Sequence, residues 1–185
     1  WPTYHRRVAA SRGPAGVVLV GNPNVGKSVL FGALTGTYVT VSNYPGTTVE
    51  VTTGTMVAHQ KKVQVLDTPG VNSLIPMSED EKVTRDILLS EPGAHLVQVM
   101  DAKNLRRGLL ISIQLLEMGL PFLAVLNMWD EARSRGVEIQ TETLSKMLGA
   151  PILKTVATRR KGVEKIKENL HSRPHPSFSL TYPEA

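Results

Sequence analysis

The stretch "GNPNVGKS", Gly21 to Ser28, decides the fold. It matches the pattern Gly-x-x-x-x-Gly-Lys-Ser/Thr, in which backbone amides face phosphate oxygens, the lysine reaches the β- and γ-phosphates and the hydroxyl binds Mg²⁺. This pattern requires a strand before it and a helix after it. "VVLVG" at 17–21 has the apolar, β-branched composition of a buried strand, and "SVLFGALTG" at 28–36 favours a helix that ends at a glycine. The stretch therefore predicts a phosphate-binding loop in an α/β domain.

Short apolar runs alternate with longer helix-period segments along the rest of the chain. This order predicts a mostly parallel, six-stranded sheet with helices on both faces. One segment departs from it, because "VEVTTGTMVAHQKKVQVLD" at 49–67 has two strand-like halves and no helix between them. It predicts a hairpin that turns near 59–62 and one antiparallel edge strand. The other predicted strands are 62–67, 95–101, 122–127 and 151–156.

Bulk properties narrow the classes of protein. A length of 185 residues with 41% hydrophobic residues fits one folded domain. Cysteine is absent, which excludes a disulfide framework and a thiolate metal site and suits a reducing compartment. The longest apolar run, at 108–126, contains Gln114 and Glu117, so we expect a soluble chain. The net charge of +5 is scattered over several segments and indicates solvated surface, so no nucleic-acid partner is expected.

A second motif, "DTPG" at 67–70, follows an apolar strand. An aspartate there can hold Mg²⁺ through a water, and the Gly70 amide can bond a γ-phosphate oxygen. Asp-x-Pro-Gly is also an ordinary turn, and only its place after the phosphate loop favours the nucleotide interpretation. The next residue is Val71, where many G proteins have a glutamine that orients the attacking water. We therefore expect slow hydrolysis that relies on Lys27, Mg²⁺ and backbone amides.

The third motif is "NMWD" at 127–130, followed by "VAT" at 156–158. The Asp130 carboxylate can accept hydrogen bonds from two N–H groups of guanine, whereas adenine offers no matching pair of donors. This predicts GTP and GDP as ligands. Met128 stands where the usual pattern has a lysine that covers the base and braces the phosphate loop. Weaker nucleotide binding and faster release are the hypothesis, and Met128→Lys tests it.

The segment "GTYVTVSNYPGTTVE" at 36–50 is polar and has the length of a switch loop. Thr48 is the predicted residue that closes onto Mg²⁺ and the γ-phosphate, with Thr47 as the alternative. Threonine pairs before a strand also occur for β-propensity alone. The prediction therefore depends on position and not on residue type.

Six stretches together resemble one family: the GTPase domain of the bacterial ferrous-iron transport protein B family, within the translation-factor-related small G proteins. The resemblance covers roughly 15–170, and the family shares the methionine of "NMWD". The stretches that carry it are "GNPNVGKS", "NYPGTTVE", "DTPGVNSL", "SEDEKVTRDILL", "DAKNLRRGLLISIQLLEMGLPFLAVLNMWDEA" and "VATRRKGVEKIKE".

The resemblance implies a Ras-like P-loop G domain whose switch loops couple nucleotide state to iron uptake. It divides the chain into a loose tail at 1–14, a G domain at 15–172 and a linker at 173–185. The full protein would continue into a helical domain and a membrane-spanning permease at the cytoplasmic face of the bacterial inner membrane. Assembly of several copies through the switch regions is left open.

Asn24 resembles the residue that ligates K⁺ beside the phosphates in potassium-activated G proteins. Such an ion would neutralise charge that develops between the β- and γ-phosphates. The alternative is a turn-forming asparagine in a tight loop. Comparison of GTPase rates in KCl and NaCl separates these interpretations.

The predicted site residues form a phosphate-binding, a guanine-binding, a metal-binding and a catalytic set, and all but the guanine-binding set share members. Phosphate binding is assigned to Gly21, Asn22, Pro23, Asn24, Val25, Gly26, Lys27, Ser28, Thr47, Thr48, Asp67, Thr68, Pro69 and Gly70. Guanine binding is assigned to Asn127, Met128, Asp130, Val156, Ala157 and Thr158. Mg²⁺ is assigned to Ser28, Thr48 and Asp67, and K⁺ to Asn24. Catalysis is assigned to Lys27, Asn24, Thr48 and Gly70.

Two other functions compete with a transporter GTPase. One is a ribosome- or tRNA-associated GTPase, which the sequence pI of about 9.6 favours. RNA binding that falls steeply with salt would support it. The other is a nucleotide-gated module in which hydrolysis is incidental.

Overall fold

The computed structural model describes residues 16–36, 39–91 and 93–170. The predicted tail at 1–14 and the predicted linker at 173–185 lie outside these residues. Within them, seven strands form one sheet in the order β2-β3-β4-β1-β5-β6-β7. The strands are β1 Val17–Gly21, β2 Val39–Asn43, β3 Glu50–Ala58, β4 Lys61–Asp67, β5 His95–Asp101, β6 Phe122–Asn127 and β7 Ile152–Lys154.

Helices connect most of the parallel strands. They are α1 Lys27–Thr35, α2 Glu79–Ser90, α3 Leu105–Glu117, α4 Trp129–Ser134, α5 Thr141–Leu148 and α6 Val163–Asn169. Single 3₁₀ turns lie at Ala102–Asn104 and Ala157–Arg159. None of the helices in the described ranges has both the length and the apolar composition that crossing a bilayer requires.

The direction of the strands agrees with the predicted α/β class but corrects two details. β1 pairs in parallel with β4 and β5, and the parallel pairing continues through β6 to β7. β3 is antiparallel to both β4 and β2. The sheet therefore has seven strands instead of six, and the antiparallel strand lies second from the edge. The additional edge strand, β2, comes from the segment that was predicted to be a loop.

β2 has a short strand pattern that the prediction of a loop at 36–50 passed over, because valine alternates with polar residues in VTVSN. Four of its five residues are exposed, so packing against the core does not hold this strand in place. Its backbone instead pairs with β3 over five residues, from Val39 opposite Gly54 to Asn43 opposite Glu50. At the other edge, β7 spans three residues, whereas 151–156 was predicted.

The local signals for turns and caps are largely confirmed. The β3–β4 hairpin turns at His59 and Gln60, which have φ values of 51° and 62°. Ser78 caps α2, because its hydroxyl accepts a hydrogen bond of 3.3 Å from the Glu81 amide. The Glu81 carboxylate accepts from the amide of Met77 at 2.9 Å and not from that of Ser78, so the capping box is shifted by one residue.

The core lies on both faces of the sheet, and β1 contributes to each. Val18 and Val20 pack in the cluster that contains the buried residues of α2 and α3. Val17 and Leu19 pack in the cluster on the other face, with residues of α1 and α6. A strand buried on both sides is a rigid base, so the loop that follows β1 starts from a fixed position.

Candidate functional site

The loop after β1 is shaped by two residues with positive φ. Asn24 has a φ of 65° and Gly26 a φ of 79°. A Cβ on Gly26 would lie 2.4 Å from Nδ2 of Asn127, so only glycine fits there. The loop runs directly into the first turn of α1, where free backbone amides and the helix dipole favour an anion. This is the geometry that the phosphate-loop motif predicts.

Lys27, Ser28 and Asp67 come together at the start of α1. The Lys27 ammonium pairs with the Asp67 carboxylate and donates to the carbonyl of Thr68, and the two charged side chains are each only 7% exposed. The Ser28 hydroxyl donates to the other oxygen of Asp67 at 2.9 Å. Two buried opposite charges that share hydrogen bonds compensate each other's loss of hydration. The structure therefore joins the lysine, hydroxyl and carboxylate that the two phosphate motifs single out.

The segment after Asp67 is fastened to the phosphate loop. Thr68 is buried and donates from its hydroxyl to the carbonyl of Leu19 at 2.9 Å. Pro69 continues the chain to Gly70, where a Cβ would lie 2.9 Å from Cα of Pro23. Gly70 can therefore lie against the phosphate loop because it has no side chain.

Val71 is bound to the same loop through its backbone. Its amide donates to the carbonyl of Gly21 at 3.0 Å, and its carbonyl accepts from Nδ2 of Asn22 at 3.1 Å. Its side chain is 1% exposed and belongs to the core cluster beside α2. The sequence shows that valine cannot orient a water, and the structure adds that this side chain points into the core.

Val71→Gln is expected to lower the free energy of unfolding by about 1–3 kcal/mol without accelerating GTP hydrolysis, because a carboxamide would be buried without designed partners. Denaturant unfolding and steady-state phosphate release measure the two effects. Val57→Gln is the matched control, since Val57 is 60% exposed and should tolerate the change. Faster hydrolysis in a Val71→Gln variant of unchanged stability would contradict this account.

Asn127 joins the phosphate loop to the loop after β7. Its Nδ2 donates to the carbonyl of Val25 at 3.0 Å, and its Oδ1 accepts at 3.0 Å from both the Ala157 amide and the Thr155 hydroxyl. The side chain is only 3% exposed, so its hydrogen-bonding groups face other parts of the protein and not solvent. Thr155 was not predicted, since only its position across the sheet from Asn127 identifies it.

Asp130 places a partly exposed carboxylate at the start of α4. It lies in the first turn of α4, its Oδ1 accepts from the Glu131 amide at 3.0 Å, and its side chain is 36% exposed. Its Oδ2 lies 3.6 Å from Nη1 of Arg159, a residue that sequence reasoning did not select. Of the predicted base-binding residues in the neighbouring loop, Val156 and Ala157 are buried and Thr158 is exposed. The structure thus gathers Asn127, Asp130 and this loop at one edge of the sheet.

Met128 lies between these two parts of the site. It adopts a left-handed backbone conformation with a φ of 57°. Its ε-methyl group would be 3.6 Å from a Cβ built on Gly26, so the side chain reaches the phosphate loop. The methionine therefore occupies the bracing position that the motif assigns to a lysine, with an apolar group.

The two switch threonines lie apart from the Lys27 cluster. The Thr47 hydroxyl donates to the carbonyl of Tyr44 at 2.9 Å, and the Thr48 hydroxyl lies 3.4 Å from a carboxylate oxygen of Glu79 in α2. Among the described contacts, neither hydroxyl meets Ser28 or Asp67. The structure therefore brings together two of the three predicted Mg²⁺ ligands and places Thr48 near α2.

Tyr44 anchors the same segment against α2. Burial raises the pKa of its phenol above the ordinary value, and the negative charge of Asp86 raises it further. The phenol therefore loses its proton only at a higher pH than a free tyrosine does.

Asn24, the predicted K⁺ ligand, is exposed on the phosphate loop, and its positive φ also fits the turn interpretation.

The arrangement has known counterparts. The family described as Ferrous iron transport protein B matches residues 15–170 of this chain. The chain belongs to this family. A relative, the Fe(2+) transporter FeoB of Escherichia coli strain K12, is 40% identical over 153 residues, which are 80% of this chain and 20% of the relative. The chain thus spans about a fifth of the length of that FeoB protein.

Solved FeoB structures share the fold. An S. thermophilus NFeoB mutant bound to GDP has a TM-score of 0.81 and 36% identity, covering 90% of this chain and 65% of that one. The cytosolic domain of T. maritima FeoB in its GMPPNP form has a TM-score of 0.81 and 37% identity, covering 84% of this chain and 62% of that one. The predicted Ras-like G-domain class and the resemblance to the FeoB family are both confirmed.

Proposed function

We propose that this chain is the GTP-binding and slowly GTP-hydrolysing domain of a ferrous-iron transporter. The observation that carries the proposal is the convergence of the Lys27, Ser28 and Asp67 cluster and of Asp130 at the carboxyl ends of the parallel strands of one sheet. These strand ends are where ligands bind in folds of this class. Support also comes from FeoB relatives whose structures contain GDP or GMPPNP.

The phosphate side would work by positioning and electrostatics. Lys27 would neutralise the β- and γ-phosphates, and backbone amides from Gly21 to Ser28 would hold their oxygens. Ser28 and Asp67 fit Mg²⁺, since their hydroxyl and carboxylate oxygens are 2.9 Å apart and such hard oxygen ligands suit this ion. Bound Mg²⁺ would supply positive charge at the β- and γ-phosphates.

The base side would select guanine. The exposed Asp130 carboxylate can accept from two N–H groups of the base. The residues 156–158, held in place by Asn127, would line the pocket beside it. A first experiment therefore measures the affinity for GTP and for ATP, and the rate at which each is hydrolysed, in K⁺ and in Na⁺. Binding of ATP as tightly as GTP would overturn the proposal.

Water activation must come from groups other than residue 71. Gly70 would donate its amide to the γ-phosphate, and Thr48 would reach the phosphates only after leaving Glu79. A K⁺ ion at the exposed Asn24 would add positive charge between the β- and γ-phosphates. Electrostatic groups of this kind act where charge develops in the transition state, and they need no side chain at residue 71.

GTP hydrolysis is expected to be at least about tenfold faster in KCl than in NaCl, because a fixed cation stabilises the developing phosphate charge. Asn24→Ala should remove this difference while the domain keeps its binding of GDP. Steady-state phosphate release at equal ionic strength measures it. Asn169→Ala, the same change at an exposed residue of α6, is the control and should retain the salt preference. Equal wild-type rates in the two salts would reject the K⁺ role.

The connection to iron transport rests on the family. The remaining four fifths of a FeoB protein would contain the helical domain and the permease. The predicted switch loop at 36–50 and the stretch that follows Gly70 would report nucleotide state to them. In this proposal the protein acts at the cytoplasmic face of the inner membrane. The family membership favours this function over a ribosome-associated GTPase. Iron uptake by the full-length protein with Ser28→Ala tests the coupling.

A further inference from the structure

The positively charged side chain of Lys103 lies beside the predicted base-binding residues. It belongs to the 3₁₀ turn after β5, and its backbone amide donates to Oδ1 of Asp101 at 2.9 Å. Its ammonium lies 2.5 Å from Oε2 of Glu131, 3.3 Å from Sδ of Met128 and 3.9 Å from Oδ2 of Asp101. The side chain is 17% exposed. The ammonium therefore joins the end of β5 to the first turn of α4.

The contact with Met128 is the informative one. Met128 precedes α4 in a left-handed conformation that residues with a side chain rarely adopt. Its ε-methyl group reaches the phosphate loop at Gly26, and Asp130 follows two residues later. A group that fixes Met128 consequently acts on both the phosphate side and the base side of the site.

The position of the charge is also informative. In the usual Asn-Lys-x-Asp pattern a lysine at the second position braces the phosphate loop, and this chain has a methionine there. The structure places another ammonium against the sulfur of that methionine, from a different element of the fold. The charge absent from the motif is thus present within 3.3 Å of the residue that replaces it.

We propose that Lys103 is a positioning residue for the guanine nucleotide. It holds Met128 against the phosphate loop and Glu131 at the start of α4, so that Asp130 presents its carboxylate in a fixed direction. The inference rests on the proposed GTP-binding function and deepens it by assigning the retention of the nucleotide to a residue outside the motifs. A surface ion pair without this role would be worth little and would not affect nucleotide release.

The test is the rate of release of a fluorescent GDP analogue, mant-GDP, measured by stopped flow in the presence of Mg²⁺. Lys103→Ala is expected to accelerate release about tenfold, the effect of losing one hydrogen bond to a charged group. Lys103→Arg retains a cation and should keep release within about threefold of wild type. Lys154→Ala is the matched control. The Lys154 ammonium lies 4.7 Å from the ring centroid of Trp129, which is in α4 like Glu131, and no hydrogen bond between Lys154 and Met128 occurs among the described contacts.

A double-mutant cycle separates positioning from general stability. Met128→Lys in the wild type sets a second ammonium beside Lys103, and like charges should prevent any slowing of release, so the change tests the effect of Met128 on release only in the Lys103→Ala background. The same change in the Lys103→Ala background should slow release towards the wild-type rate. Such a difference is an interaction between the two residues, which a loss of folding stability at one of them does not produce.

Two outcomes would overturn the inference: unchanged release in Lys103→Ala, or an equal effect of Met128→Lys in both backgrounds. The failure of the wild type to bind mant-GDP would instead remove the proposed function itself. If the wild type prefers GDP over ADP but Lys103→Ala releases mant-GDP at the wild-type rate, only the positioning role of Lys103 is rejected. The wild-type comparison of GDP with ADP is therefore run in parallel.

Discussion

An Asp130→Asn variant is expected to lose its preference for guanine nucleotides and to bind xanthine nucleotides in their place. The carboxylate accepts from N1–H and the 2-amino group of guanine, whereas an amide presents one acceptor and one donor. Xanthine has N1–H and a carbonyl at position 2, which match that pair. GDP affinity should fall at least about 100-fold, because a site built to hydrogen-bond one partner rejects another that leaves its polar groups unpaired.

The structure makes this exchange a clean experiment. Asp130 lies in the first turn of α4, and within the described part of the chain its charged partner is Arg159, 3.6 Å away and 66% exposed. The loss of so exposed an ion pair should affect folding very little. Competition of GDP and XDP against a fluorescent nucleotide measures the preference. Asp80→Asn, the same chemical change at an exposed position of α2, should keep the wild-type order. A variant that still prefers GDP would show that Asp130 does not read the base.

Asn127→Ala is expected to have the largest effect on stability. The substitution would leave the Val25 carbonyl, the Ala157 amide and the Thr155 hydroxyl without their partner in a buried region. Because each unsatisfied buried group costs about 1–3 kcal/mol and neighbouring losses overlap, we expect a decrease of about 3 kcal/mol in the free energy of unfolding. Nucleotide affinity should fall in addition, since the phosphate loop loses its link to the loop at 155–158.

Urea unfolding without nucleotide measures the loss of stability, and titration with fluorescent GDP measures the affinity. Asn104→Ala is the control: this asparagine is exposed, and its side chain makes no capping hydrogen bond at α3. Its substitution should change stability by less than about 0.5 kcal/mol. Equal unfolding midpoints for the two variants would show that the contacts of Asn127 contribute nothing to the folded state.

The parts of the fold that the sequence predicts are those with local signals. The apolar run before Gly21 and the helix period after Lys27 define β1, the phosphate loop and α1. The rule that ligands bind at strand ends places Asp67 and Asp130 at one edge. β2 was missed because its alternation of valine with polar residues is only five residues long and lies inside the polar segment 36–50.

The partners of the site residues are harder to predict because they come from distant segments. Thr155 reaches Asn127 across two neighbouring strands, and Arg159 meets Asp130 through a loop whose path the sequence does not encode locally. Lys103 contacts Met128 although 25 residues separate them. Where Thr48 lies depends on packing against α2, and residue type alone does not determine that.

The attachment of Val71 gives this domain a mechanical link between its ligand site and its interior. The backbone of Val71 is hydrogen-bonded to the phosphate loop at Gly21 and Asn22, and its side chain belongs to the core cluster that also contains Val83 and Ile87 of α2. Because the Val71 side chain is fully packed, a displacement of the neighbouring Gly70 would also have to move that side chain. Close-packed interiors respond to such shifts by changing between discrete arrangements instead of deforming smoothly. Val71, which stands where many G proteins have the water-orienting glutamine, thus connects the phosphate loop directly to the core cluster that contains residues of α2.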